Sequence, residues 1–174
     1  RRSLGSGVLL DAEGYIITNN HVVEDATKMT ILLSDGRRFD AELVGTDPKT
    51  DVAVIKIEGA NLPILQLGRS AGLSVGAWVV AVGSPFGLTQ TVTVGVVSAT
   101  GRSGLSLNRY ENYLQTDAAI NPGNSGGALI DAYGNLVTTP AAVIVVGLGS
   151  NPTGGTLGGT LSVTSVNGIA TFND

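Results

Sequence analysis

Apolar residues recur along this chain in short alternating runs separated by turn formers. GSGVLLD is followed by a turn at Asp11 to Gly14 and then by YIITNN, which runs into His21. TKMTILL, a turn at Ser34 to Arg37, RFDAELVGTD and DVAVIKI come next, and Val52, Val54, Ile55 and Ile57 mark the last of these as a mostly buried strand. From Asn61 to Gly76 the pattern breaks into LPILQLGRSAGLSVG, which reads as a connection between two halves. A second set of strands is predicted at AWVVAVGSP, TQTVTVGVVSAT and NYLQTDAAI, with the glycine-rich stretch Asn121 to Gly127 interrupting the last before ALID. Little room is left for helix, so the predicted fold class is all-β.

Beyond Asp131 the charge disappears. From Ala132 to Asn173 there is no Asp, Glu, Lys or Arg, although PAAVIVVGL, TLSVTSV and GIATF still read as strands between GSNPTGG and NG turns. TGGTLGGTL is a local echo in a turn and sets no architectural period.

Composition narrows the choice of architecture. A chain of 174 residues with 43% apolar content can bury one substantial core or two small barrels sharing an interface. With 14% charged residues and 25 glycines, strands joined by tight turns are favoured over disorder. The formal charge of -4, with basic pairs only at Arg1-Arg2 and Arg37-Arg38, gives no electrostatic footprint for nucleic acid or an anionic membrane surface. No apolar run approaches the roughly 20 residues of a membrane-spanning helix. No charged-then-apolar leader precedes Leu4, so the sequence reads as a mature or trimmed fragment. Without cysteine, disulfide usage says nothing about compartment.

Candidate chemistry gathers at three places. Acyl transfer from a peptide needs a hydroxyl nucleophile, a base, a carboxylate that fixes the base's tautomer, and N–H donors aimed at the developing oxyanion. His21 is the only histidine and comes directly after the strand YIITNN; Asp51 opens the strand of DVAVIKI; Ser125 lies in NPGNSGGALI. Glycines at 123, 126 and 127 allow a tight turn that leaves the Gly123 and Ser125 N–H groups free to converge on one oxygen. Singly these signals have bland readings: a lone histidine is more often structural, Asp51 fits an edge position, and Asn, Pro, Gly and Ser are ordinary turn residues. Jointly they stand in the order His, Asp, Ser, each at the end of a predicted strand, the first two in one half and Ser125 in the other, as in chymotrypsin-type barrels.

GSGVLLDAEGYIITNNHVV, SDGRRFDAELVGTDPKTDVAVIKI, WVVAVGSPFGL and LQTDAAINPGNSGGALID, in that order and spacing, resemble the protease domain of the HtrA/Deg family from about Leu4 to about Leu136. The resemblance implies two packed antiparallel β-barrels of chymotrypsin type. Residues 1–70 would form the barrel carrying His21 and Asp51, and residues 71–174 the barrel carrying Ser125. It implies Ser125 as nucleophile, His21 as general base and acid, Asp51 as the group orienting His21, and Gly123 and Ser125 as oxyanion donors. The activity implied is hydrolysis of unfolded polypeptides, without metal or cofactor, in the bacterial periplasm or another extracytoplasmic space. In chymotrypsin-type folds the residues five and six before the nucleophile line the base of the primary pocket. Here they are Ile120 and Ala119, neither acidic, so a small aliphatic side chain such as Val, Ala or Ile is expected before the cleaved bond.

After the nucleophile hairpin the GINTAI- and GFAI-type strands of the family are missing. Residues 137–174 instead resemble the Ala/Val/Thr/Gly-rich strands of bacterial immunoglobulin-like surface repeats. The expectation is a fusion in which this atypical segment completes the second barrel, with VNGIATF as its last strand. The same departure raises an alternative: a protease-derived scaffold whose catalytic activity is impaired or lost. No PDZ module is seen, so regulation through one is not expected, and the sequence does not set an oligomeric state.

Overall fold

The computed structural model of the chain describes residues 5–84, 91–104, 112–121 and 123–137. Its first sheet contains β1 (Val8–Leu9), β2 (Tyr15–Asn19), β3 (Met29–Leu32), β4 (Arg38–Asp47) and β5 (Val52–Ile57), in the spatial order β1-β2-β5-β4-β3. All the neighbours are antiparallel. The alternation in β5 sets the sheet's orientation: Ala53, Ile55 and Ile57 point into the core and Val52, Val54 and Lys56 are half-buried. Leu9, Ile16, Val23 and Leu62 complete this core, with Met29, Ile31 and Phe39 packed on its margin. Burial of Ile55 and Ile57 contributes about 1.5–3 kcal/mol each.

The register of β2 on β5 brings two distant parts of the chain together. Asn19 lies opposite Val52, so the end of β2 and the start of β5 meet at one edge of the sheet, with His21 just beyond one strand and Asp51 just before the other. At that end burial stops tracking polarity, since Thr18, Asn19, Asn20 and Asp51 are all buried. Buried polar groups need partners, which makes this edge the place to look for a built site.

The second sheet has the order β8-β7-β6-β9, from β6 (Trp78–Gly83), β7 (Thr91–Arg102), β8 (Tyr113–Thr116) and β9 (Ala128–Asp131), again antiparallel throughout. Val79, Ala81, Val97 and Leu129 face a second core that Leu114, Ala118 and Ile120 close. β9 turns back on itself: Asp131 accepts the Tyr133 and Asn135 N–H groups, and Val137 N–H donates to Leu129 O at 2.7 Å. Leu136 also bridges to Leu67, which ties the connection between the sheets to this hairpin. The opposite face of β6 and β7 is apolar and open, with Trp78 63%, Val92 59% and Val94 56% exposed.

The all-β expectation holds, with local departures. β1 is shorter than GSGVLLD suggests, a single helical turn, α1 (Asn20–Val23), comes after β2, and a 3-10 turn (Ser70–Gly72) sits in the connecting stretch. The described strands make two antiparallel sheets. The strands expected at PAAVIVVGL, TLSVTSV and GIATF, and with them the closure of the second barrel, lie outside the described residues.

Candidate active site

His21 does not end a strand, as its neighbourhood suggests, but sits in the turn of helix that β2 runs into. Facing it, Asp51 occupies a left-handed backbone conformation with φ of 55°, uncommon for a residue with a Cβ but accessible to Asp. That conformation turns its carbonyl toward β2, where it accepts both the Asn20 N–H and the Asn19 Nδ2–H at 3.0 Å. The carboxylate faces α1: Oδ1 accepts the His21 N–H at 2.8 Å, and Oδ2 lies 2.7 Å from His21 Nδ1. A carboxylate oxygen only accepts, so Nδ1 carries the proton and Nε2 of the neutral ring keeps its lone pair. The strain at Asp51 is therefore held by a network that also fixes one histidine tautomer.

Exposure divides the pair, the Asp51 side chain being 11% and the His21 side chain 46% accessible. The hydrogen bond that His21 donates to Asp51 raises the His21 pKa above its ordinary 6.5, opposed by partial burial and helped by the Asp51 and Glu24 charges. An imidazole so placed accepts a proton readily and stabilises the imidazolium that results.

Ser125 comes from the other sheet, on the turn between Asn121 and β9. Asn124 N–H and Gly127 N–H bond to Asn121 O and Asn124 O, whereas the Gly123 and Ser125 N–H groups have no acceptor among the described residues. Gly123 has φ of 99°, open to glycine and costly for other residues. Gly126 fits for a second reason: a Cβ there would collide with Ser6 O and Thr18 Oγ1 and lie 3.2 Å from Asn19 N. The glycine thus lets the serine turn close on the end of β2, directly before the helical turn of His21. Ser6 N–H donates to Ser125 O at 2.6 Å, so the segment before β1 also reaches this turn.

Ile120 and Asn124 line a small, mainly apolar cleft together with Ala81, Val82 and Leu129. Ala119 is exposed, is not part of that lining, and accepts the Thr93 Oγ1–H through its carbonyl. Two residues that the sequence does not single out belong here. Ser6 and Asn19 both hold backbone of the site, and the only sequence signal for either is a polar residue at a position where the strand pattern turns inward. Among the described residues no group of His, Asp or Glu is arranged to hold a metal ion, and no helix is long and apolar enough to cross a membrane.

Two curled antiparallel sheets with this serine turn at their junction define the trypsin-like class. Residues 5–138 match the trypsin-like peptidase domain family, and the chain belongs to that family. Among its relatives is the periplasmic serine endoprotease DegP of Escherichia coli strain K12, 52% identical over 158 residues, covering 90% of this chain and 32% of that protein. A probable DegP-like periplasmic serine endoprotease of Chlamydia pneumoniae is 53% identical over 140 residues, covering 80% of this chain and 29% of the relative. The solved HtrA-type protease AlgW with decapeptide superposes with a TM-score of 0.76 at 54% identity, covering 84% of this chain and 44% of AlgW. The chain therefore spans about a third of its curated relatives. Because 90% of 174 residues cannot fit within residues 1–138, the alignment with DegP runs into the uncharged stretch, further than the sequence resemblance to about Leu136 reached.

Proposed function

We propose that this chain is a serine endopeptidase in which Ser125 attacks the peptide carbonyl, His21 takes and returns the proton, and Asp51 orients His21. The observation that carries the reading is the double contact of Asp51 with His21, at the backbone N–H and at Nδ1, beside a serine turn with two uncommitted N–H groups. In the reaction, Nε2 accepts the Ser125 hydroxyl proton as Oγ bonds to the carbonyl carbon. The imidazolium then gives that proton to the leaving amine, and water repeats the cycle on the acyl-enzyme. The Gly123 and Ser125 N–H groups meet the oxyanion. No step needs a metal or cofactor.

Cleavage after Val, Ala or Ile is the expected preference, because Ile120 and Ala119, five and six residues before Ser125, carry no acidic group to pair with Lys or Arg. Relatives named as periplasmic endoproteases support polypeptide substrates and a periplasmic site of action. Completion of the second barrel falls to residues 138–174, which lie outside the described residues, and Val137 continues the β9 hairpin along that sheet's edge toward them. The alignment that runs past residue 138 supports a family origin for the start of this segment over a fused immunoglobulin-like repeat. The missing GINTAI- and GFAI-type strands favour the second reading, a protease-derived scaffold with impaired or no catalytic activity.

The test is digestion of a permanently unfolded protein by the chain and by Ser125→Ala, with the products sequenced. Cleavage after small aliphatic residues, lost in the variant, is expected. Cleavage that persists in Ser125→Ala, or occurs after basic residues, contradicts the assignment.

A further inference from the structure

Ser6, just before β1, reaches three other parts of the molecule at once. Its N–H donates to Ser125 O at 2.6 Å and its hydroxyl donates to Gly123 O at 2.8 Å. The same Oγ accepts the Ser84 N–H at 2.8 Å, and the Ser6 carbonyl accepts the Thr18 Oγ1–H at 2.7 Å. The serine turn, the end of β6 and the buried end of β2 are thereby joined through one small residue. Among the described residues no other side chain hydrogen-bonds to the backbone of 123–127. The turn's own buried side chain, Asn124, packs over Gly83 but has no partner for Nδ2 or Oδ1 among those residues. The turn is held from outside rather than by its own polar group.

The consequence lies in the peptide planes, because fixing a carbonyl fixes the N–H that shares its plane. Ser6 Oγ pins the plane of Gly123 O and Asn124 N; Ser6 N–H pins the plane of Ser125 O and Gly126 N. Between them lies the plane of Asn124 O and Ser125 N, whose carbonyl is taken by Gly127 N–H at 2.7 Å. With both flanking planes held, the Ser125 N–H has one direction left to point.

Resting on the peptidase reading, we propose that Ser6 is a positioning residue of the reaction: its hydroxyl and N–H hold the serine turn so that the Ser125 N–H points at the oxyanion. The hydroxyl never touches substrate. A misplacement of about 1 Å costs on the order of 100-fold in rate, so loss of the hydroxyl is felt in kcat.

The experiment compares the parent chain with Ser6→Ala and Ser6→Thr in steady-state cleavage of a peptide with Val before the scissile bond, and in binding of a peptide boronate that forms a tetrahedral adduct with the serine. Ser6→Ala is expected to lower kcat about 10- to 100-fold and boronate affinity by a like factor. KM is expected to stay within about twofold, and Ser6→Thr to recover most of the loss. The pH midpoint of kcat/KM stays where it is, because the His21–Asp51 pair is untouched. A folded Ser6→Ala with kcat within about twofold of the parent, or no recovery in Ser6→Thr, overturns the proposal. Should Ser6→Ala fail to fold, Thr18→Val removes the hydrogen bond to the Ser6 carbonyl while leaving Ser6 itself in place. A severalfold fall in its kcat at constant KM is then expected, and an unchanged kcat overturns the proposal. A parent that neither cleaves nor binds the boronate sinks the peptidase reading and this inference with it, an outcome distinct from an active parent indifferent to Ser6.

Discussion

His21 shows how much of the site's behaviour rests on one contact. Asp51, bonded to Nδ1, holds the imidazole pKa above 6.5, so the proton-accepting form gains population only as pH rises past that raised value. Reaction of Ser125 should rise with pH to a midpoint above 6.5, and Asp51→Asn should move the midpoint down while lowering kcat about 10⁴-fold, because the amide no longer enforces the tautomer. The pH profiles of the two proteins check this, and coincident midpoints contradict it. Stability has its own sign. A folded pKa raised above the unfolded one favours the fold fully below about 6.5, and that contribution is lost as pH rises through the folded value. The melting-temperature advantage of the parent over His21→Gln should therefore shrink between about pH 6 and pH 9. With the His21 side chain nearly half exposed, the effect is modest.

At the scale of elements, the alternation that made β5 legible also makes it indispensable. Ile55 is 2% exposed between β2 and β4, and Ile55→Ala should cost about 2–5 kcal/mol in urea unfolding. A loss under about 1 kcal/mol would mean that the first core closes around the gap. Strand positions were readable because period-2 alternation survives wherever one face is buried, and turn chemistry and chain order singled out His21 and Asp51, which the structure brings into contact, together with Ser125 as the candidate nucleophile. The helical turn at Asn20–Val23 was not readable: four residues carry no period, and Asn19 and Asn20 are buried by bonds to the distant Asp51 rather than by local preference. Ser6 was hidden for the same reason, its partners lying far along the chain.

For the whole molecule, the exposed face of the second sheet carries its own reporter. Trp78, the only tryptophan, lies there with Val92 and Val94. At 63% exposure Trp78 should emit at long wavelength and be quenched freely by acrylamide at low protein concentration. Blue-shifted, poorly quenched emission at every concentration would contradict an open face, and protection that emerges only at high concentration would mean that a second copy of the chain covers it. Whether the halves come together to react is read most simply by a fluorophosphonate probe, which bonds covalently to an activated serine. The parent chain should label once, at Ser125, and Ser125→Ala and His21→Ala should not label. A well-folded parent that stays unlabelled, or a His21→Ala that labels as fast as the parent, contradicts a Ser125–His21–Asp51 peptidase.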